Sequence, residues 1–399
     1  MRLMRAAGCP GAMTATGSRL KGLHCQGCSA DLNAAQPTGT CPACGSALLA
    51  VYDLDSIAAR EWWRSLSARP ASLWRFRELL PVQDDSHIAT LGEGVSAILD
   101  LGRLPETGDL QVLLKDDGGL PTGSFKARGM TVAVSRAHEL GLSSLFVPSA
   151  GNAGVALAAY AARARIKARI YLPEGTPTPM QRACARYGAG VVTVPGTIRD
   201  AGERARREEA GRGSFDVSTL REPYRAEGKK TMGLEIVETL GAEGMPDAVV
   251  YPAGGGTGLI GMHRAFEQLT ALGLLDRAPR LLAVQPEGCA PLVRALRDGA
   301  PRATPWPTPH TVAPGLLVPS PFASDQVLEA VRATRGGGTT VSDEAILEAV
   351  DTIGRRYGVS VSPEGAAPFA ALPGLLREGK LRAGERVLLY NTGSGIPFL

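Results

Sequence analysis

Two kinds of hydrophobic pattern alternate along most of the chain. Short apolar runs rich in β-branched residues, typical of buried strands, are separated by alanine-rich segments in which apolar residues recur at helical spacing. The runs predict strands at 111–116, 144–149, 168–173, 190–195, 247–253, 280–285 and 385–391. The segments between them predict helices, the clearest of which are 153–165, 180–189 and 231–240.

Strands that alternate with helices of this length indicate βαβ units, and therefore an α/β fold with a mostly parallel sheet. In such sheets ligands bind beyond the carboxyl ends of the strands. The loops that follow the strands are therefore where functional residues are expected. A Gly- and Pro-rich stretch at 297–310 is predicted to be a loop as well.

Composition narrows the class of protein. The chain has 399 residues, 44% of them hydrophobic and 21% charged, which is ordinary for a globular protein and predicts two or three domains. The formal net charge is +4 and there is no run of like charges, so neither nucleic acid nor a membrane is expected as a partner. No stretch approaches the roughly 20 apolar residues of a membrane span.

The N-terminal region predicts neither a secretory signal nor a folded element. Residues 1–19 contain arginines and small residues without a continuous apolar core, which favours a disordered leader or a true start at Met13. The protein is therefore expected in the cytoplasm. Of the seven cysteines four are clustered, whereas Cys9, Cys184 and Cys289 are predicted to be isolated thiols.

The loop after the strand at 247–253 reads GGGTGLIG, residues 254–261, and opens a helix. Glycines let the backbone approach an anion closely, and the free N–H groups at a helix start favour a phosphate. The loop contains G-x-G-x-x-G, but Gln285 ends the next strand where a dinucleotide-binding protein has an acidic residue. No Gly-Lys-Ser/Thr follows, so one phosphate monoester fits best, and a tight turn without a ligand is the alternative.

Three other loops offer candidate ligands. GGLPTGSFKARGM (118–130) places Lys126 at the start of a predicted helix, where a lysine is more often a solvated charge. Asn152 in SAGNAG is either a helix N-cap or an amide donor to a phenolate. Thr392 in TGSG is either part of an ordinary turn or a hydroxyl that faces a ligand. A lysine, a phosphate cradle, an asparagine and a hydroxyl together suit pyridoxal phosphate.

Five motifs in this order, PTGSFKARGM, SAGNAGVALAAYAARA, YPAGGGTGLIG, SPEGAA and NTGSG, resemble those of the threonine synthases. These are pyridoxal-phosphate enzymes of the tryptophan-synthase-β fold type, and the similarity extends from about residue 20 to the C-terminus. The resemblance implies two open, twisted, mostly parallel sheets flanked by helices (fold type II), preceded by a small zinc-ribbon-like module. We expect that module at 20–55, a large cofactor-binding α/β domain at 56–130 and 231–399, and a small α/β domain at 131–230.

The resemblance also implies the roles of the site residues. Lys126 would be catalytic and carry the cofactor as a Schiff base, Asn152 would contact the phenolate, and Thr392 would face the ring nitrogen. The cofactor phosphate would be held by Gly254, Gly255, Gly256, Thr257 and Gly258. A bulkier residue at Gly256 or Gly258 is expected to displace the phosphate before it harms the fold.

Family members make L-threonine from O-phospho-L-homoserine and water, so the resemblance implies that reaction, and we expect a small-molecule amino-acid substrate and a homodimer. A hydroxyl opposite the ring nitrogen, in place of a carboxylate, suits loss of a side-chain leaving group and disfavours transamination. The candidates for gripping the substrate phosphate are Arg128, Arg182, Lys229 and Lys230. The sequence departs from the motifs of family members at two places, which bear on the substrate more than on the cofactor. The chain ends in GIPFL where relatives continue Gly-Leu-Lys, and EGTPTPMQRACARYGA lacks the Gly-Lys step that many relatives have there.

Two other functions stay open. One is a related pyridoxal-phosphate enzyme of β-replacement or elimination, either cysteate synthase-like with O-phosphoserine or a threonine/serine ammonia-lyase. The other is a zinc-ribbon scaffold that binds ligands without catalysis, against which the intact Lys126 argues. Phosphate release from O-phosphohomoserine separates the first from the threonine synthase reaction, and absence of a bound cofactor would support the second.

The four clustered cysteines are Cys25, Cys28, Cys41 and Cys44, spaced C-x2-C-x12-C-x2-C. Two such knuckles present four thiolates to zinc, and so short a segment has little other means of folding. A site closed by four thiolates leaves no open position, so zinc is expected to be structural, and its loss to loosen residues 20–55 while the chemistry persists. No basic run accompanies the module as in nucleic-acid binders, and His24 is predicted to be a surface residue instead of a ligand.

Overall fold

The computed structural model of the protein describes residues 17–396. The strands of this part of the chain are β1 (Leu20–Cys25), β2 (Asp31–Leu32), β3 (Leu48–Tyr52), β4 (Ala97–Leu104), β5 (Leu110–Asp116), β6 (Ser144–Pro148), β7 (Lys167–Pro173), β8 (Gly190–Val194), β9 (Phe215–Asp216), β10 (Ala248–Pro252), β11 (Arg280–Pro286), β12 (Gly337–Val341) and β13 (Arg386–Asn391). Its α-helices are α1 (Ala59–Ser65), α2 (Lys126–Glu139), α3 (Asn152–Ala164), α4 (Thr178–Arg186), α5 (Ile198–Glu209), α6 (Tyr224–Leu240), α7 (Thr257–Ala271), α8 (Pro291–Arg297), α9 (Ser324–Ala333), α10 (Asp343–Tyr357), α11 (Pro363–Ala370) and α12 (Leu372–Arg377). Stretches of 3-10 helix lie at Leu66–Ala68, Leu73–Leu79, Asp85–His87, Pro105–Thr107, Pro121–Gly123 and Pro314–Leu316.

The largest sheet has six strands in the order β12-β11-β10-β13-β5-β4. All neighbours are parallel except β4, which pairs antiparallel with β5 at one edge. Both faces are covered by helices, because Val249 and Tyr251 of β10 pack in one core with α6 and α7. Ala248 and Val250 of the same strand pack in another core with α11 and α12. Burial on both faces explains why the central strands appear in the sequence as continuous apolar runs.

A second sheet has four parallel strands in the order β8-β7-β6-β9. Val147 and Ile170 pack with α2 and α3 on one face, whereas Phe146 and Tyr171 pack against α5 on the other. The loops after β6 of this sheet and after β10 and β13 of the larger sheet line one cavity. The carboxyl ends of both sheets therefore surround a common site.

The N-terminal sheet has three antiparallel strands in the order β2-β1-β3. It packs against helices of the larger core, where the Arg136 side chain of α2 donates to the Ala34 carbonyl at 2.7 Å. The Lys230 Nζ atom of α6 lies 3.9 Å from the centre of the Tyr52 ring. The small sheet is thus attached to α2 and α6, both of which carry residues of the cavity.

The predicted fold class, with two mostly parallel sheets and a small N-terminal module, is confirmed. Each predicted strand is present with its ends within one residue of the prediction, and residues 298–310 form the predicted loop, since α8 ends at Arg297. The apolar pattern does not predict β4, β9 and β12, which lie at sheet edges, or the short strands of the N-terminal sheet. Helix α6 begins at Tyr224 instead of 231, because the charged side chains of its first two turns are buried and hide the helical pattern.

Some predictions are not tested by this architecture. The domain limits stay a prediction, and residues 1–16 of the predicted leader, with Cys9 and Met13, lie outside the described residues, as do 397–399. Cys184 and Cys289 are buried free thiols, as predicted. In the described part of the chain, no helix combines the length and the apolar character needed to cross a bilayer.

Candidate active site

A cavity of about 910 Å³ lies between the two larger sheets. Its walls come from the loops after β6, β10 and β13, from the first residue of α2, and from α6 and α11. Lys126, Asn152, Thr392 and residues 254–258, the residues predicted for pyridoxal phosphate, all line it. The structure therefore brings together residues that lie far apart in sequence, and their individual roles stay predictions.

Lys126 is held in place by the turn that precedes it. Thr122 and Gly123 have left-handed backbone angles, φ +64° and +70°, and reverse the chain just before α2. The Phe125 N–H then donates to the Thr392 carbonyl at 3.0 Å, which ties the start of α2 to the end of β13. This contact brings the lysine next to Thr392, which the sequence alone places at the opposite end of the chain.

The surroundings of Lys126 favour its neutral amine. Desolvation, and then the nearby Arg225 guanidinium, lower its pKa to about 7, while the Glu364 carboxylate opposes the shift. The Nζ atom lies 3.9 Å from the centre of the Phe125 ring. A lysine with a pKa near neutrality can exchange protons at physiological pH, which an ordinary surface lysine cannot.

The glycine loop after β10 forms a tight cradle. Gly256 is the N-cap of α7 with φ +73°, and no side chain caps that helix, so its first N–H groups are free to bind an anion. A Cβ atom at Gly256 would lie 2.4 Å from the Val327 side chain, and one at Gly258 would lie 2.2 Å from the Tyr251 hydroxyl. A Cβ atom added at Gly255 would lie 3.5 Å from the nearest atom, in the Thr219 side chain, so Gly255 alone of these three glycines has room for a side chain.

These contacts correct one expectation. Side chains added at Gly256 or Gly258 would collide with protein atoms, so such substitutions would disturb the packing and not only a bound phosphate. Gln285 occupies the position at which a dinucleotide-binding protein has an acidic residue. Its role here is structural, because its amide donates to the Ala253 carbonyl at 2.8 Å. Its oxygen accepts from the first turn of α8, so it anchors the beginning of the glycine loop.

Asn152 is the first residue of α3, and its interpretation as the N-cap is wrong. The N-cap is Gly151, at φ +139°, and the cap bonds come from Ser149. The Ser149 hydroxyl accepts from the N–H groups of Gly151 at 3.1 Å and Gly154 at 2.8 Å. The Asn152 amide is therefore left to face the cavity.

Of the four basic residues considered for the substrate phosphate, Lys229 is the one that lines the cavity. Arg128 is buried elsewhere, 2.7 Å from Asp117 and 2.5 Å from Glu235. Lys230 pairs with Glu227 at 2.5 Å. The fourth, Arg182, is exposed on α4 and is not part of the cavity wall.

Arg225 is a cavity residue that the sequence does not single out. It is 3% exposed, and one of its guanidinium nitrogens donates to the Val217 carbonyl at 2.7 Å. Within residues 17–396 no carboxylate lies at ion-pair distance from this guanidinium or from the Lys229 amine. Burial, with Lys126 and Arg225 nearby, holds the pKa of Lys229 well below its usual range. A buried guanidinium and a buried amine, neither with an ion-pair partner in the described chain, indicate a site for an anion, whose charge would restore the protonated form of the amine.

Cys25 is the last residue of β1 and Cys28 lies in the turn after it, whereas Cys41 and Cys44 lie in the loop that precedes β3. Their Sγ atoms are all within 4.8 Å of one another. The Cys25–Cys44 and Cys28–Cys41 sulfur distances are 3.4 and 3.7 Å, close to the about 3.8 Å of a tetrahedral zinc tetrathiolate. The donor set therefore fits zinc, and His24 points to Asp31 at 2.8 Å instead of joining it.

Comparison with known proteins agrees with this geometry. A family model described as pyridoxal-phosphate dependent enzyme matches residues 89–393. The threonine synthase of Methanocaldococcus jannaschii is 34% identical over 355 residues, which are 88% of this chain and 87% of that protein. The threonine synthase of Mycobacterium tuberculosis is 34% identical over 328 residues, 82% of this chain and 88% of that protein.

Solved structures share the architecture. The processed form of threonine deaminase isoform 2 from Solanum lycopersicum matches with a TM-score of 0.65 at 21% identity, over 85% of this chain and 90% of its own. Maize serine racemase matches with the same TM-score and identity, 0.65 and 21%, over 75% of this chain and 88% of its own. At this level of identity the likeness concerns the fold alone.

Proposed function

The chain belongs to the pyridoxal-phosphate dependent enzymes and, among them, to the threonine synthases, and from that membership we propose that it converts O-phospho-L-homoserine and water to L-threonine and phosphate. The observation that carries the proposal is a lysine of lowered pKa in one cavity with a glycine cradle and two buried basic side chains, Arg225 and Lys229, that have no ion-pair partner among the described residues. The cradle suits the phosphate of the cofactor, and the two basic side chains suit a second phosphate, that of the substrate.

The cofactor fits the residues of the cavity. We propose that Lys126 holds it covalently, that residues 254–258 and the N-terminus of α7 bind its phosphate, and that the Asn152 amide donates to its phenolate oxygen. The Thr392 hydroxyl would face its ring nitrogen. When bound, pyridoxal phosphate supplies an electron sink conjugated to the substrate amino nitrogen, which makes the neighbouring C–H bonds acidic.

Lys126 then has the task of moving protons. Its neutral amine would take one proton at a time, first from Cα and, after releasing that proton, from Cβ of the substrate; protons would return to Cγ once the phosphate has left and to Cα at the end. The γ-phosphate leaves with the electron pair of its C–O bond, and water adds at Cβ to complete L-threonine. A pKa of about 7 keeps both protonation states of Lys126 populated at physiological pH, as such a shuttle requires.

Arg225 and Lys229 would bind the substrate phosphate and stabilise it as it departs. Both belong to α6, whose first turn is fixed because the Glu222 carboxylate accepts from the N–H groups of Tyr224 at 2.7 Å and Arg225 at 2.9 Å. A dianion between the two side chains would restore the protonated form of Lys229, since it compensates the burial that depresses the pKa. We further propose that the enzyme is a cytoplasmic homodimer.

The experiment is a product analysis on the purified holoenzyme. With O-phospho-L-homoserine we expect phosphate and L-threonine in equal amounts, and Lys126→Ala should fold but release neither. O-phospho-L-serine with sulfite and L-threonine alone test the two related chemistries, cysteate synthesis and ammonia release. If one of those substrates is turned over and O-phospho-L-homoserine is not, the proposed substrate is wrong. Near-normal turnover by Lys126→Ala would overturn the proposed role of the lysine.

A further inference from the structure

Glu364 is a buried carboxylate in the wall of the reaction cavity and has no part in the proposed reaction. It is the second residue of α11 and is 6% exposed. Its Oε1 atom accepts from the Gly315 N–H at 2.7 Å, whereas its Oε2 atom is buried without a hydrogen-bond partner. Leaving a carboxylate oxygen buried and unpaired is costly, so its presence in a cavity indicates a partner in the working enzyme.

The position of this carboxylate is rigidly set. The Ser362 N–H donates to the Gly393 carbonyl at 2.9 Å, which attaches the start of α11 to the residues after β13. Gly365 packs so closely on Asn391 that an added Cβ atom would lie 1.9 Å from the Asn391 amide oxygen. Glu364 is therefore fixed beside the segment that also binds the backbone preceding Lys126.

The other charges that face Lys126 are positive. The Arg225 guanidinium approaches from α6 as a permanent cation, and the Lys229 amine beside it becomes charged only when an anion compensates its burial; neither has an ion-pair partner among the described residues. On α2 itself, Arg128 is neutralised by Asp117 and Glu235. The remaining ionisable group of the wall beside the lysine is the Tyr251 phenol of β10, whose pKa burial holds well above its usual range, so it is uncharged.

We propose that Glu364 is a positioning residue whose free Oε2 atom supplies the counter-charge for the Lys126 ammonium each time the amine takes up a proton. This inference rests on the proposed function in one respect, namely the reaction steps in which Lys126 takes up a proton. Without this carboxylate, a protonated Lys126 would share a desolvated cavity with the Arg225 guanidinium and have no opposing charge from a buried side chain. Its amine would then be a weaker base towards a substrate C–H bond.

The test is the titration of the Lys126 amine itself. The full-length protein is stripped of cofactor, labelled at a series of pH values with a trace amine reagent, and the extent of labelling at Lys126 is read by peptide mass spectrometry. We expect the labelling midpoint of Glu364→Gln to fall below that of the wild type by about half a pH unit or more, with Glu364→Asp between the two. The control is Glu203→Gln, which removes an exposed glutamate at the rim of the same cavity and should leave the midpoint unchanged.

Holoenzyme kinetics give an independent readout. Glu364→Gln should lower kcat, shift the acidic limb of the kcat–pH profile towards lower pH, and leave KM nearly unchanged. A folded Glu364→Gln protein with the wild-type labelling midpoint overturns the proposal. If that variant does not fold, Glu364→Asp withdraws the charge by one methylene, and an unchanged midpoint there overturns it equally. Because labelling needs no substrate, a shifted midpoint in a protein that makes no threonine would refute the proposed function and leave this inference standing.

Discussion

At the residue scale, Arg225 and Arg128 show how neighbouring carboxylates determine whether a buried arginine is structural or available to a ligand. Both arginines are buried, with 0% of Arg128 and 3% of Arg225 exposed. Arg128 pairs with two carboxylates, Asp117 at 2.7 Å and Glu235 at 2.5 Å, in a buried ionic cluster that Lys115 completes by pairing with Glu235 at 2.9 Å. Arg225 makes a hydrogen bond to a carbonyl and no ion pair in the described chain, so its charge remains available for a ligand.

The two arginines are therefore expected to respond differently to the same substitution. Arg225→Gln should raise KM for the phosphorylated substrate about 10- to 100-fold, because a charge-assisted contact is lost, and should leave stability nearly unchanged. Arg128→Gln should cost about 3–5 kcal/mol of unfolding free energy, because it leaves the Asp117 carboxylate buried without an ion-pair partner and leaves Glu235 with Lys115 alone. Denaturant unfolding and steady-state kinetics of both variants measure this contrast. Equal destabilisation by the two substitutions would contradict the assignment of Arg225 to an anion site.

Thr392 gives a second prediction at this scale, about the type of reaction. In the proposed site the Thr392 hydroxyl would face the ring nitrogen without supplying negative charge, so the nitrogen would stay largely neutral and the ring would withdraw electrons only moderately. Thr392→Asp should keep the nitrogen protonated, lower threonine formation and raise transamination, which is measured as 2-oxo acid and amine-form cofactor. Thr392→Ser, which keeps the hydroxyl, is the matched control. Full synthase activity of the aspartate variant without a new side product would refute the argument about the ring nitrogen.

At the scale of elements, the glycines of the loop between β10 and α7 differ in what they are needed for: some are required by packing and others only by ligand binding. Gly256→Ala should destabilise the fold by about 1–3 kcal/mol, because a left-handed residue would acquire a side chain that meets Val327. Gly255→Ala has room and should fold normally, yet its methyl group would reduce the space for a phosphate at the cradle. We expect about tenfold weaker cofactor binding, equivalent to about 1.4 kcal/mol, measured by fluorescence titration of the apoprotein. Unchanged affinity in Gly255→Ala would favour a plain turn at this loop.

Elements also show what the sequence can and cannot predict. The central strands are predictable because strands buried on both faces, such as β10, consist of an uninterrupted run of apolar residues. The same burial makes α6 hard to delimit, since Arg225, Glu227 and Lys229 look like a solvated surface until their partners are known. Which buried charge is paired, and which is left for a ligand, depends on residues far away in sequence, as in the pair of Lys115 and Glu235, which are 120 positions apart. The motifs therefore predicted the cofactor site, whereas Arg225 and the free oxygen of Glu364 required the tertiary structure.

At the scale of the whole molecule, the cysteine module and the reaction cavity are neighbours. The Ala34 carbonyl accepts from the Arg136 side chain at 2.7 Å and from the Tyr224 hydroxyl at 3.4 Å. Gly39 lies so near the next segment that an added Cβ atom would be 2.8 Å from the Arg221 carbonyl oxygen. The module thus rests on residues 221–224, which directly precede Arg225 and, through Arg221, form part of the cavity wall. Loosening the module should therefore affect substrate binding more than cofactor binding.

Removal of zinc tests this connection. A chelator, or Cys41→Ser, should speed backbone hydrogen exchange throughout residues 20–55, because a segment held by four thiolates loses its cross-link. With the support of residues 221–224 weakened, KM for the phosphorylated substrate should rise several-fold, while the bound cofactor keeps its absorbance and kcat changes less. His24→Ala, which removes a surface residue beside Cys25 without touching the tetrathiolate, should leave both exchange and KM as they are. Protein purified with reduced thiols that contains no zinc would contradict the metal assignment, and faster exchange with an unchanged KM would contradict the coupling between the module and the cavity.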